Sequence, residues 1–196
     1  RPLTDKTLSF GLLNDVEQWT LLAPVYKAYT KDLCGYAERG EKEWRRLLGS
    51  FFAEGVNIAV VKNDEGQIEG YAVYRLGAPE IPVTEFVYTT RRAQRGLLNY
   101  FYNHRSQGES IRWNEGLHDT GYRFVPDGKT GHTTMPYMMA RIVDVETALT
   151  TVPVNPEAVM MPITLNIKVT DTLCDWNNGV FALTLCLLYT SPSPRD

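Results

Sequence analysis

Apolar residues recur along this chain at two spacings, and the switches between them divide it into elements. Trp19, Leu22, Tyr26 and Tyr29 follow a helical repeat, and Asn14-Asp15-Val16-Glu17 just ahead has capping-box spacing, with Asn14 to accept from an amide of the first turn and Glu17 to reach back. Pro24 lies inside this stretch, lacks an N–H and is expected to kink the helix or start a second one. The next pattern is stronger. Trp44, Leu47, Leu48, Phe51 and Phe52 fall at i, i+3, i+4, i+7 and i+8, with Glu41 and Glu43 suiting the positive N-terminal end and Gly55 as a stop.

Beyond Gly55 the period shortens to that of strands, at Asn57 to Lys62, Ile68 to Arg75 and Ile81 to Thr89. The turn-forming Asn63-Asp64-Glu65-Gly66 joins the first two, which predicts an antiparallel meander. After Thr89 the pattern is helical again, with Leu97, Leu98, Phe101 and Tyr102 on one face and Arg92, Arg95 and Asn103 largely on the other. A strand is predicted at Ser110 to Trp113. Helices and strands in this order make an α+β layer, helices packed on a mostly antiparallel sheet.

From Glu115 to Pro136 there is no clear period, and Asp127-Gly128 and Thr130-Gly131 mark a long connection. Met138 to Val143 then reads as strand, Val145 to Leu149 as a short helix and Val152 to Pro156 as a loop. Ile163, Leu165, Ile167 and Val169 alternate strictly with Thr164, Asn166, Lys168 and Thr170, so one side of that strand is expected to be buried. Asn178-Gly179 predicts a tight turn into a partner strand at Val180 to Leu185, inside a second, incomplete sheet.

With 43% hydrophobic and 22% charged residues and a mean hydropathy of -0.26, the 196-residue chain has the composition of a soluble folded protein. Its longest apolar runs, such as Ile58 to Val61, fall far below the ~18 to 20 residues of a membrane helix, so no membrane partner is expected. A net charge of -3 lacks the basic footprint of a nucleic-acid binder. Cys34, Cys174 and Cys186 are odd in number and form no C-x-x-C pair, which argues against a disulfide framework or zinc site and for a reducing, cytoplasmic location. The chain opens at Arg1 with neither an initiator Met nor an apolar leader, and is expected to be cut there. Residues 186–196, ending Thr-Ser-Pro-Ser-Pro-Arg-Asp, resemble an in-frame translation of a DNA-sequencing adapter. The natural protein is therefore expected to continue past Leu185 with a different sequence.

One segment carries candidate chemistry. Val87 to Leu98 runs from a strand through a basic turn into a helix, a geometry in which free amides and the positive dipole end attract an anion and Arg91, Arg92 and Arg95 add charge. It resembles the turn of the GNAT N-acetyltransferases, in which [Q/R]-x-x-G-x-[G/A] holds the pyrophosphate of acetyl-CoA. With the first glycine of that pattern on Gly96, Ala93 stands where Gln or Arg belongs and Leu98 where Gly or Ala belongs, so the turn is a degenerate version. The same resemblance places Glu85, in the preceding strand, in the region of a general base that deprotonates an attacking amine. His104, His118 and His132 lack metal-ligand spacing, and no metal is expected.

A closer resemblance follows from Met135-Pro-Tyr-Met-Met-Ala-Arg-Ile-Val-Asp-Val-Glu-Thr-Ala-Leu149. It is similar to the entry into the C-terminal domain of the enhanced intracellular survival (Eis) acetyltransferases, which have an acetyl-CoA-binding GNAT domain, a second degenerate GNAT domain and a third of the sterol carrier protein fold. Tyr26 to Tyr29, Gly35-Tyr36 to Trp44 and Glu85-Phe-Val-Tyr88 resemble the second of these. The resemblance implies a GNAT-like domain over residues 1–115, a connection over 116–136, the start of a sterol-carrier-like domain over 137–185 and an adapter-derived tail over 186–196. It further implies an enzyme that, at full length, transfers acetyl from acetyl-CoA to a small amine by direct attack and assembles as a homo-oligomer. The acetyl-CoA would be held by a domain missing from this chain, which would be inactive alone. Tyr36, Glu38, Trp44, Trp113 and Glu115 would wall the amine pocket, their acidic and aromatic character suiting a cation. Two rivals stand beside this: a non-catalytic ligand-binding or structural module, and a free-standing GNAT enzyme that uses Glu85 and the Arg91 to Gly96 turn.

Overall fold

The chain enters its first sheet earlier than the hydrophobic pattern predicts. In the computed structural model, which describes residues 5–33, 35–77, 79–116, 130–136, 139–151 and 161–185, strand β1 (Ser9–Leu13) pairs antiparallel with β2 (Asn57–Lys62), Gly11 opposite Val60. A glycine at the centre of five residues erases the alternation by which a strand is recognised. The cap that follows lies one residue later than expected. Asp15, not Asn14, accepts from the Glu17 amide at 2.9 Å, and Gln18, not Glu17, reaches back to the Asp15 amide at 3.1 Å. A short 3-10 turn, Val16–Gln18, comes first and shifts the frame.

Helix α1 (Trp19–Thr30) is continuous across Pro24, so the proline neither ends it nor starts another. The missing N–H forfeits one bond, to the Thr20 carbonyl, while the helix buries Leu22, Val25 and Tyr26; tertiary packing sustains it. Helix α2 (Glu41–Ala53) buries Trp44 and Leu48 with Leu47, Phe51 and Phe52 beside them, and Gly55 follows at φ +67°. The meander is as predicted: β2, β3 (Ile68–Tyr74) and β4 (Glu80–Tyr88) are antiparallel neighbours. Asn63 folds their first turn by accepting from the Glu65 and Gln67 amides at 3.1 and 2.8 Å.

Helix α3 (Arg91–Asn103) crosses over to β5 (Ser110–Trp113), which pairs parallel with the first half of β4 and completes the order β1-β2-β3-β4-β5. Each face of this sheet carries a core. Under α1 and α2 lie Ile58, Val60, Tyr71 and Val73; under α3 lie Val61, Ala72, Tyr74 and Phe86 with Leu97 and Phe101. The buried side of α3 also takes Ala93 and Gly96, whereas Tyr102, expected inside, is 47% exposed. Two glycines let α3 approach. A Cβ on Gly70 would stand 2.8 Å from the Val87 carbonyl oxygen and 3.3 Å from Leu97, and one on Gly96 would stand 2.9 Å from Leu8.

The chain divides into two compact units, residues 1–133 and 134–196. In the second, residues 139–143 are irregular and not a strand. They join no ladder; Trp176 Nε1 and Asn177 Nδ2 donate to the Val143 carbonyl, and Arg141 pairs with Asp171. Helix α4 (Val145–Thr151) is capped by Asp144, which accepts from the Thr147 amide, and by Asn177, which accepts from the Val145 amide. Strands β6 (Ile163–Val169) and β7 (Gly179–Leu185) pair in full. No two-residue Asn178-Gly179 turn joins them. The connection is loop 170–178, gathered on Asp171, which accepts from the Leu173 and Cys174 amides at 2.9 Å each and from Asn177 Nδ2 at 3.0 Å. The Asn177 bond, those two amides and Arg141 hold this carboxyl well below the usual range.

The predicted burial of one β6 face is not met among the described residues. Ile163 and Leu165 are 42% and 46% exposed, because among the described residues the sheet has two strands and no layer stacked on that face. The Val152 to Pro156 loop and the 186–196 tail lie outside the described residues, as do Cys34, Cys186 and His118.

Candidate functional site

Glu85 is a polar residue at a position of β4 that faces α1 and α2, directly across the ladder from Val73. It does not stand open to a substrate. Arg39 Nη2 donates to its Oε1 at 2.7 Å, Arg39 Nη1 to its Oε2 at 3.2 Å, and the Tyr71 hydroxyl to the same Oε2 at 2.7 Å. Both charged side chains are largely enclosed, at 19% and 13% exposure. The guanidinium of Arg39 also lies over two rings, 4.1 Å from the centre of Tyr26 and 4.9 Å from that of Trp44. Burial opposes the charge on Arg39, but the bonds to Glu85 outweigh it and raise its pKa further. Burial, reinforced by the neighbouring carboxylate, pushes the Tyr71 hydroxyl well up.

The basic turn is closed in a complementary way. Thr90 caps α3 by accepting from the Ala93 amide at 3.1 Å, and its hydroxyl donates to Glu69 Oε2 at 2.9 Å. Arg92 then clasps both oxygens of Glu69, Nε to Oε2 at 2.9 Å and Nη2 to Oε1 at 2.7 Å. The chain's own carboxylate therefore occupies one of the three arginines expected to draw an anion. Arg91 is engaged with Gln94 at 3.1 Å, and Gln94 donates to the Tyr88 hydroxyl at 2.9 Å. Arg95 is exposed, and Gly96 faces the sheet with Leu8 and Val61 on its α side. Gly96 thus serves helix-to-sheet packing, not close approach of a phosphate.

The Arg92 bonds, helped by the Thr90 and Asn63 donors, hold Glu69 below the ordinary carboxylate value of 4.5. A depressed folded pKa stabilises the fold above the unfolded value and ceases to do so as pH falls through the folded one. The Glu69→Gln variant is therefore expected to unfold at lower urea than the parent at pH 7. The two midpoints should converge as pH drops from about 4.5 toward the folded value. A constant gap from pH 7 to 3 would show that Glu69 contributes nothing as an anion.

The five residues expected to wall a pocket are not brought together. Trp44 is 1% exposed and meets Tyr26 edge-on at 5.6 Å. Tyr36 is half-buried and edge-on to Tyr29 at 6.0 Å, while Glu38 is exposed on the connection before α2. Trp113 belongs to the opposite face, against Phe86 at 5.4 Å, and its indole N–H donates to Glu115 at 3.1 Å. Sequence reasoning missed Arg39 and Glu69. Arg39 sits in Ala-Glu-Arg-Gly-Glu, which reads as a solvated charge run, and Glu69 occupies a strand position that reads as an outward polar residue. Among the described residues no group of three or more His, Cys, Asp or Glu is placed to hold a metal ion.

The five-stranded sheet with α1 and α2 on one face and α3 crossing the other defines the class: the chain belongs to the acetyltransferase (GNAT) domain family, whose profile matches residues 35–142. A probable N-acyltransferase from Enterococcus faecalis superposes with a TM-score of 0.80 at 23% identity, covering 92% of this chain and 45% of that one. A GCN5-related N-acetyltransferase from Anabaena variabilis gives 0.76 at 18% identity, covering 93% and 47%. These likenesses show the fold, and the chain spans about half the length of either structure. No curated protein matches it. Acetyl-CoA is the acyl donor such domains generally use, and the turn at α3 does not fit it. Arg92 is spent on Glu69, Gly96 is packed inward, and Leu98 stands at the small-residue position.

Proposed function

We propose that the chain is the non-catalytic portion of an acetyl-CoA-dependent N-acetyltransferase of the enhanced intracellular survival type, acting on small amines. It would comprise the second, degenerate GNAT domain and the beginning of a sterol-carrier-like domain, and would be inactive alone. One observation carries the reading: two groups that a working acetyltransferase site would need to present, a carboxylate on β4 and Arg92 of the cationic turn at α3, are each paired with an opposite charge from the same chain. The coverage of only 45% and 47% of the two similar structures supports a longer parent protein. In this reading acetyl-CoA binds a domain outside the chain, no metal takes part, and the whole protein is a cytoplasmic homo-oligomer with neither nucleic-acid nor membrane partners. Tyr36 and Glu38, on the connection before α2, would border the amine-binding pocket.

Calorimetric titration of acetyl-CoA into the 196-residue chain tests this, together with release of free CoA thiol in the presence of a panel of primary amines. The expected result is no saturable heat and no release above the uncatalysed background, with turnover appearing when the chain is joined to the remainder of its parent. Saturable binding with turnover that Glu85→Gln abolishes would overturn it and establish the free-standing enzyme.

A further inference from the structure

The surroundings of Arg39 are those of a cation-binding site. Tyr26 comes from α1, Trp44 from α2, Tyr71 from β3 and Glu85 from β4. Four regular elements thus present two aromatic faces and a carboxylate held by a phenol. Tyr26, Trp44 and Tyr71 are buried, and the Tyr26 hydroxyl is itself fixed by donating to the Ala37 carbonyl at 3.0 Å. The group that fills this box comes from a different kind of segment. Arg39 belongs to the irregular connection between α1 and α2, which contains Gly35 at φ +87° and ends at Gly40. Walls on regular elements with a loop-borne occupant distinguish this arrangement from an ordinary core ion pair, in which both partners are part of the scaffold.

The recognition chemistry is specific. Paired N–H groups meeting both oxygens of one carboxylate, at 2.7 and 3.2 Å, require the planar fork of a guanidinium. Rings at 4.1 and 4.9 Å add cation-π attraction in a place largely closed to water. We propose that Tyr26, Trp44, Tyr71 and Glu85 form a guanidinium-binding site which the chain occupies with its own Arg39, and which accepts an alkylguanidinium cation when Arg39 is withdrawn. The inference rests on the geometry of the box and not on the acyl-transfer reading, and binding alone decides it.

The experiment uses the full chain carrying Arg39→Ala, with methylguanidinium chloride as the probe at low millimolar concentrations and sodium chloride as the ionic-strength control. The variant is expected to melt below the parent and to recover through a saturable rise of roughly 3 °C or more in methylguanidinium. The parent, whose box is full, should show no such rise, and neither should Arg39→Ala/Glu85→Gln, which lacks the anionic wall. No saturable rise, or an equal one in all three proteins, overturns the proposal. If Arg39→Ala is recovered unfolded, refolding it in methylguanidinium should restore its near-ultraviolet circular dichroism, and failure to do so overturns the proposal equally.

Discussion

Trp44→Ala is expected to cost the five-stranded unit about 3–5 kcal/mol, the range for deleting a large aromatic from a closed core. The side chain is 1% exposed, meets Tyr26 edge-on, and forms one of the two faces on which Arg39 rests. Truncation therefore removes apolar burial, an aromatic pair and half of a cation's lining together. Urea denaturation followed by tyrosine and tryptophan fluorescence measures it. Urea is the suitable denaturant because guanidinium is itself a candidate occupant of the box. A residue kept mainly to line an open pocket would cost about 1 kcal/mol or less when truncated, and that outcome would reopen the pocket assignment.

Glu85→Ala should approach the same size, about 3 kcal/mol, for a different reason: it strands a largely enclosed guanidinium and a buried phenol at once. The cost lies mainly in what is left behind. The double variant Arg39→Met/Glu85→Leu, which removes both charges and keeps volume, is therefore expected to be clearly more stable than Glu85→Ala. A double-mutant cycle in urea reads the coupling directly. An exposed carboxylate waiting for substrate would lose at most about 1 kcal/mol, so a small effect here would count against the closed site.

Much of the first unit was legible because its cues are local. The i, i+3, i+4 stripe of α2 and the turn at Asn63 name their own elements, and the bounds of β2 and β5 agree with the sequence reading. Strand β1 was not, since an edge strand with a central glycine has no alternation to detect. Residues 139–143 misled in the opposite way: Met-Ala-Arg-Ile-Val has strand composition but joins no ladder, and its Val143 carbonyl accepts from Trp176 and Asn177, more than 30 residues on. The candidate site divides along the same line. Glu85 and Arg92 can be found from their places beside a strand-turn-helix. That each is answered by Arg39 or Glu69 depends on pairings 46 and 23 residues apart, for which a single sequence offers no signal.

The β6–β7 hairpin has a consequence for how the protein behaves in a tube. Among the described residues each of its strands has one ladder edge without a neighbour, and Ile163, Leu165, Phe181 and Leu183 share a single face that is only partly covered. A partly exposed apolar face beside ladder edges that no described strand covers is a template for another strand, and a net charge of -3 spread over 196 residues provides little repulsion between copies. A preparation can remain folded in its five-stranded unit and still associate through the hairpin.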